Sequence, residues 1–364
     1  MPVPLDEYPI HQTPLSMRYV ESSDKNFYDR SYFNAHDRTG EVFLITGLGV
    51  YRNLGVTDAY ALVRQGDTQY SVRCSEPLID GGLEQQVGPY RVEVIEPLHK
   101  LRLVLDADDH GIGFDLTWDS SFPALDEPRH INHAGNRVVL DGCRFAQLGS
   151  WTGSLRVQGR EYQVDADRWL GSRDRSWGIR TVGEPEAPGR PNAREGFWWL
   201  YAPIRFDDYA LVVIVQEDGT GHRTLNEASR IWRDGRIEQL GWPRFDIRYR
   251  SGSRHPESAT LHLVDAAGKD VTVEVETLGS AVLGVGAGYG GVDWTHGLWK
   301  GEGFVESETY DMNSPEIVAR TPFGVVDHVA RATCDGAEGW GLFEHATVGR
   351  HDPTGFADFS SVAP

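Results

Sequence analysis

Cysteine is scarce in this chain of 364 residues, and the little there is lies scattered. Cys74, Cys143 and Cys334 form no CxxC or CxxH spacing, which excludes a zinc ribbon and a dithiol redox motif. Far apart and odd in number, they read as the reduced thiols of a cytoplasmic protein. There is no GxSxG to raise a serine nucleophile, no HExxH to hold a zinc ion, and no GKS or GKT to cradle phosphate. Positive charge is also short. Thirty-five Lys and Arg against 54 Asp and Glu leave a formal charge of −19, a surface that repels nucleic acid and anionic membranes. The longest wholly apolar run, Ala210 to Val215, falls far below the roughly 20 residues of a membrane-spanning helix. The opening stretch MPVPLDEYPIHQTP has neither a basic nor an apolar segment, so no secretory leader is expected.

Long helices are unwelcome too, because the chain holds 41 Gly and 19 Pro. What it does hold is strand pattern. Val92 and Val94 alternate with charge in RVEVIE, as do Leu101, Leu103 and Leu105 in LRLVLD. The same period of two recurs at Phe245, Ile247 and Tyr249, at Leu261 and Leu263, and at Val271, Val273 and Val275. Such alternation predicts antiparallel sheets with one wet face. Turn signals part the runs at Gly66-Asp67, Asp109-His110-Gly111, Asp218-Gly219, Asp234-Gly235 and Ala267 to Asp270. One short helix is expected from Ser314 as cap and Pro315 at the first helical position, ended by Thr321-Pro322-Phe323-Gly324.

Length favours two domains. The hexapeptide from Asp58 to Val63, DAYALV, is echoed by DDYALV from Asp207 to Val212, and each copy is followed by a tight turn and a Gly-Pro signal. The echo predicts duplication of a β unit. The stretch Glu184 to Glu195 is rich in Pro and charge and reads as a linker, dividing the chain into residues 1–183, 184–195 and 196–364. Ligand sites favour such junctions.

Immediately before that linker stands GSRDRSWGIR, Gly171 to Arg180. In an extended strand Arg173, Arg175 and Trp177 share one face and Asp174 takes the other. The motif is either a cationic platform beside an indole wall or an Arg–Asp fastener pinning the linker. The glycine-rich run from Gly284 to Gly303 satisfies GxGxxG at Gly286 to Gly291, yet no helix follows it, so it is not a dinucleotide fingerprint. These glycines let the backbone pass close to aromatic rings or to a ligand. His296 stands between Trp294 and Trp299, and is either a general acid or a hydrogen-bonded core histidine. Glu344 and His345 point to opposite faces of a strand, and the spacing of Asp327-His328, Glu344-His345 and His351-Asp352 fits no metal motif. Gln216-Glu217 and Asn226-Glu227 are further polar candidates near turns.

The order of alternating strands, then G-x-x-D-x-x-W-G on Gly171, Asp174, Trp177 and Gly178, then a second β unit, resembles the carotenoid 1,2-hydratase (hydroxyneurosporene synthase) superfamily. The whole chain is also similar to bacterial proteins known only as domains of unknown function. The segments that carry this second likeness are Asn53 to Val56, Arg144 to Gly149, Arg173 to Arg180, Gly196 to Trp199, Trp294 to Gly297 and Gly339 to His345. The superfamily resemblance implies two tandem lipocalin-like barrels, and some of its members are cyclases of the Diels–Alderase type. Its hydratases carry His where this chain has Arg175, and a guanidinium does not donate protons at ordinary pH. The acid of a hydration would then be Asp174 held protonated by burial, His296 or Glu344.

The expectation is therefore an all-β protein, two tandem lipocalin-like antiparallel β-barrels packed together with very little helix, and an apolar pocket where they meet. It would be a cytoplasmic enzyme without cofactor or metal, working as a single chain or a homodimer on a lipophilic small molecule of terpenoid, steroid-like or polyketide-like type. Acid–base hydration or dehydration, isomerisation or cyclisation would rest on Asp174, Arg175 and His296. Arg173, Trp177, Arg180, Trp199, Tyr201, Trp294, Trp299, Glu344 and His345 would bind the substrate. The alternative is a carrier that sequesters a hydrophobic ligand without turnover.

Overall fold

The computed structural model describes residues 2–364 except 12–15, 17–18, 79–82, 187–195, 292–293 and 322–323. Most of the expected linker, and residues Asp293, Pro322 and Phe323 of the motifs above, thus lie outside the described residues. The architecture is nearly all β. The first half supplies β1 (Phe27–His36), β2 (Val42–Tyr51), β3 (Val56–Gln65), β4 (Thr68–Pro77), β5 (Gln85–Val87), β6 (Tyr90–Glu96) and β7 (Lys100–Leu105). It continues with β8 (Ile112–Ser120), β9 (Leu125–Asp126), β10 (His130–Ala134), β11 (Arg137–Val157), β12 (Arg160–Val164) and β13 (Leu170–Arg180). The second half supplies β14 (Phe197–Arg205), β15 (Tyr209–Asp218), β16 (Arg223–Trp232), β17 (Ile237–Gln239), β18 (Gly241–Tyr249) and β19 (Pro256–Val264). It ends with β20 (Asp270–Val282), β21 (Phe304–Asp311), β22 (Val326–Cys334) and β23 (Ala337–Val348). The expected helix is α1 (Pro315–Arg320), its first turn closed by a bond from Val318 N–H to Ser314 O.

Two antiparallel sheets follow one plan. In the first, β1 pairs with β2 on one side and β13 on the other; in the second, β14 pairs with β15 and β23. The first strand of each sheet is thus hydrogen-bonded to its last, and the sheet curls until β4 nears β5 in one unit and β16 nears β18 in the other. These are two lipocalin-like barrels packed together. The second half also lends β21 to the free edge of β4, so the first sheet draws on both halves of the chain.

The echoed hexapeptides do not occupy equivalent places. One lies on β3, the third strand of its sheet, and the other runs into β15, the second strand of the other. What they share is an Ala-Leu-Val triplet buried on both faces, whereas Asp207 and Asp208 of the second copy are exposed.

That burial explains three separate cores. Phe33, Leu44, Trp118 and Trp151 fill the first barrel, and Trp198, Leu200, Val213 and Phe343 fill the second. Between them lies a third core including Tyr32, Phe43, Tyr60, Tyr201, Val212, Ile214 and Val329. Strands at this junction turn one face to their own barrel and the other to the partner barrel. Hence β1 and β2 are buried along their whole length, and so is most of β15 with its apolar run. Peripheral strands such as β18 and β20 keep a wet face and alternate.

Candidate functional site

The two barrels line a partly open cavity of about 330 Å³ at their junction. Its walls come from β1, β10, β11 and β13 of the first barrel and from β14, β15, β16 and β23 of the second. Strand alternation decides which side chains enter. On β13, Asp174, Ser176 and Arg180 line the cavity; on β1, so do Tyr28, Arg30 and Tyr32.

Arg173, Arg175 and Trp177 point the other way. Arg173 stands opposite Phe33, on the face of the first-barrel core, where its Nη1 and Nη2 donate to Glu7 at 2.5 and 2.9 Å and its Nε to Gln147 Oε1 at 2.8 Å. Arg175 Nη2 meets Asp29 at 3.0 Å and its Nη1 donates to Gln85 Oε1 at 3.0 Å. His11 stacks on the Trp177 ring at 3.5 Å. Burial alone would raise the Glu7 and Asp29 carboxyls, but the guanidinium charges beside them outweigh it and hold both below the ordinary carboxylate range. Both arginines are thus fasteners that tie the N-terminal turn Pro4–Glu7 to the barrel. None of Arg173, Arg175 and Trp177 lines the cavity, in contrast to the platform and wall expected of them.

Asp174 keeps partial access through the cavity while protein surrounds it. Desolvation raises its pKa to about 7 against the opposing charge of Arg144, with the Glu127 carboxyl adding to the rise. Arg144, from β11, pairs through Nε with Glu127 and lies 4.4 Å above the Tyr201 ring. Burial also raises Glu127, though Arg144 opposes it. Across the cavity, Trp199 Nε1 donates to Glu344.

The two units place their acids in matching positions. Tyr32 on the first strand of its sheet stands opposite Asp174 on the last; Tyr201 on the first strand of the other stands opposite Glu344 on the last. Each tyrosine then reaches over to the other barrel. Tyr32 Oη donates to Asp327 Oδ2 at 2.5 Å, and Tyr201 lies under Arg144. Asp327 faces Glu344 in register on β22 and β23. Burial, then the nearby Glu344 carboxyl, holds Asp327 well above the usual carboxylate range.

The remaining sequence candidates divide clearly. Arg180, Trp199 and Glu344 line the cavity, and Tyr201 sits just behind its wall. His296 is buried outside it, T-shaped against Tyr289 at 4.8 Å, with Nδ1 3.7 Å from Asp58. Desolvation, aided by Arg30, lowers its pKa to about 4 despite Asp58, so it is neutral at pH 7. Trp294 packs on Tyr60 and His296 rather than on the cavity, and Trp299 is 51% exposed, which removes both from the binding wall. His345 faces the second-barrel core, donating through Nδ1 to Trp199 O at 2.7 Å. In the glycine-rich run, Gly288 has φ +82° and a Cβ there would lie 2.5 Å from the Trp294 ring, so this glycine admits an aromatic side chain.

Sequence reasoning missed Arg30, Glu127, Tyr289 and the acid pairing of Asp327. Each is a single residue with no local motif. The available signal was the spelling of β1, where Tyr28, Arg30 and Tyr32 alternate with Asp29, Ser31 and Phe33. Gln216, a polar candidate, does line the cavity. Among the described residues, no group of three His, Cys, Asp or Glu side chains is placed to hold a metal ion. No helix among them is long and apolar enough to cross a membrane.

The model of a family described as "Family of unknown function (DUF8625)" matches residues 3–357, and the chain belongs to that family. No curated protein matches it. Among solved structures, a protein of Nitrosomonas europaea described as AttH is similar over 95% of this chain and 98% of its own, with TM-score 0.55 and 13% identity. Kievitone hydratase from Nectria haematococca is similar over 87% of this chain and 88% of its own, with TM-score 0.50 and 14% identity. The structure of CghA with Sch210972 is similar over 88% of both chains, with TM-score 0.51 and 13% identity. At such identities the likeness is one of fold.

Proposed function

We propose that this family member is an enzyme of the carotenoid-hydratase-like superfamily, acting on a lipophilic small molecule in the junction cavity between units 1–183 and 196–364. The observation that carries this reading is the placing of Asp174: a carboxyl directed into a partly open cavity between two barrels, beside aromatic rings and flanked by Arg30 and Arg144. A carboxyl in such a space is a proton donor near neutral pH. The reaction is acid–base chemistry: hydration or dehydration of an alkene, isomerisation, or cyclisation. Asp174 delivers or removes the proton, Arg144 with its Glu127 partner polarises a substrate oxygen, and Trp199, Phe197 and Tyr289 hold the apolar body. Glu344, between Trp199 and Asp327, is a second carboxyl group facing the cavity. That similar folds include a hydratase and CghA with Sch210972 supports the reading.

Isotope exchange tests the reading even before a product is identified. The protein is incubated in D2O with terpenoid, steroid-like and polyketide-like compounds, and mass spectrometry follows deuterium uptake and gain or loss of water. Turnover that is abolished in Asp174→Asn supports the reading. Binding without turnover or isotope exchange across all three classes supports the carrier instead.

A further inference from the structure

Among the described residues, buried guanidinium groups come with acceptors, with one exception. Arg73 has Glu306 at 2.6 Å, Arg173 has Glu7, Arg175 has Asp29, and Arg254 donates to the carbonyls of Ser361, Thr347 and Gly349. Arg30 is only 4% exposed, yet no carboxylate or carbonyl of the described residues lies within hydrogen-bonding reach of its guanidinium. Its neighbours are rings: Tyr289 at 4.9 Å and Tyr28 at 5.4 Å. A guanidinium stays charged at any physiological pH, and an unpaired buried charge is costly enough that folds pair it or use it.

Arg30 opens onto the junction cavity, and so does a second cation. Arg180, on the neighbouring strand β13, lies 5.6 Å from the same Tyr289 ring and also lacks a side-chain acceptor among the described residues. Two free guanidiniums therefore flank one tyrosine at one end of the cavity. The carboxylates Glu127 and Glu344 line the same cavity, but Arg144 and Trp199 already engage them. Asp174 feels the charge of Arg30 without forming an ion pair with it.

We infer that the ligand of this cavity is an amphipathic acid, a lipophilic body bearing a carboxylate or enolate oxygen that docks between Arg30 and Arg180 over Tyr289. This deepens the function proposed above and rests on the same cavity. The oxyanion supplies the acceptors that both cations lack, through charge-assisted hydrogen bonds. Anchoring one end places the apolar body along Trp199 and Phe197, with Asp174 beside it, which fixes where along the molecule the proton is delivered.

Three probes with a common chain test this at pH 8 by calorimetry: decanoate, 2-decanoylcyclohexane-1,3-dione as its enolate, and decan-1-ol. At least one acid is expected to bind about ten-fold or more tighter than the alcohol, the span of a single charge-assisted hydrogen bond. Arg30→Met and Arg180→Gln should each remove most of that preference and leave the alcohol's affinity within about two-fold. Arg30→Lys, which keeps the charge, should retain part of it. Arg180→Gln, at a less buried position, carries the test if Arg30→Met does not fold. Equal binding of alcohol and both acids by the native protein overturns the acid inference and leaves the cavity reading standing. An acid preference that survives Arg180→Gln and Arg30→Lys unchanged also overturns it. Failure of all three probes to bind overturns both.

Discussion

Tyr32 of the first barrel donates a 2.5 Å hydrogen bond to Asp327 of the second, across the core that joins them. With Arg144 over Tyr201 it forms a pair of reciprocal crossings, each running from the first strand of one barrel into the other. The cavity is therefore a property of the two barrels together. Tyr32→Phe should leave the buried Asp327 Oδ2 without its donor, at a cost of about 1–3 kcal/mol, and lower the unfolding midpoint in chemical denaturation.

Burial and the neighbouring Glu344 carboxyl favour the uncharged form of Asp327, so Asp327→Asn, which keeps an acceptor for Tyr32, should be better tolerated than Tyr32→Phe. Its folded-state pKa lies above the unfolded value of 3.8. Such an acid stabilises the fold fully below pH 3.8 and loses that contribution as pH rises through the folded pKa. Asp174, with a folded value of about 7, has the same sign. Stability should therefore decline between about pH 4 and 7, and Asp174→Asn should flatten the decline. Denaturation midpoints across that range read the slope.

The opposite sign holds beneath the first barrel. Glu7 and Asp29 are depressed by Arg173 and Arg175, so their stabilisation is present above about pH 4 and is lost as pH falls through the depressed values. Glu7→Gln breaks a buried ion pair and should cost about 3–5 kcal/mol. The expected signature is a lower melting temperature with most of the turnover per folded molecule retained, since the pair faces away from the cavity.

His296 is neutral at pH 7 and set behind Tyr289, and proton transfer is assigned to Asp174 instead. His296→Asn should leave the pH at which turnover falls unchanged, near 7, because that limb belongs to Asp174. A pH–rate profile of the variant distinguishes the two, and loss of the limb would restore the histidine to the mechanism.

How much of this was legible depended on burial. Peripheral strands such as β6, β18 and β20 announced themselves because one face is wet and their side chains alternate. A junction strand such as β15 gave no alternation, since both its faces are buried, and a short continuous run such as Ala210 to Val215 does not say which barrel each face meets. The site followed the same logic. Asp174, Arg180, Trp199 and Glu344 sit in conspicuous motifs and do line the cavity. Arg173 and Arg175 looked equally conspicuous, but the acid that claims Arg173, Glu7, lies 166 residues away, so their employment elsewhere was invisible. Arg30 was overlooked because its meaning is the absence of an acceptor among the described residues, which only three dimensions reveal.

Direct titration of the Asp174 carboxyl tests the central claim most sharply. Protein labelled with 13C at aspartate Cγ is followed by NMR from pH 4 to 9, and Asp174→Asn assigns the resonance. The account predicts a midpoint near 7 that moves when an amphipathic acid fills the cavity. A midpoint near 4, indifferent to ligand, would make Asp174 an ordinary ionised carboxylate at neutral pH and contradict its role as the proton donor.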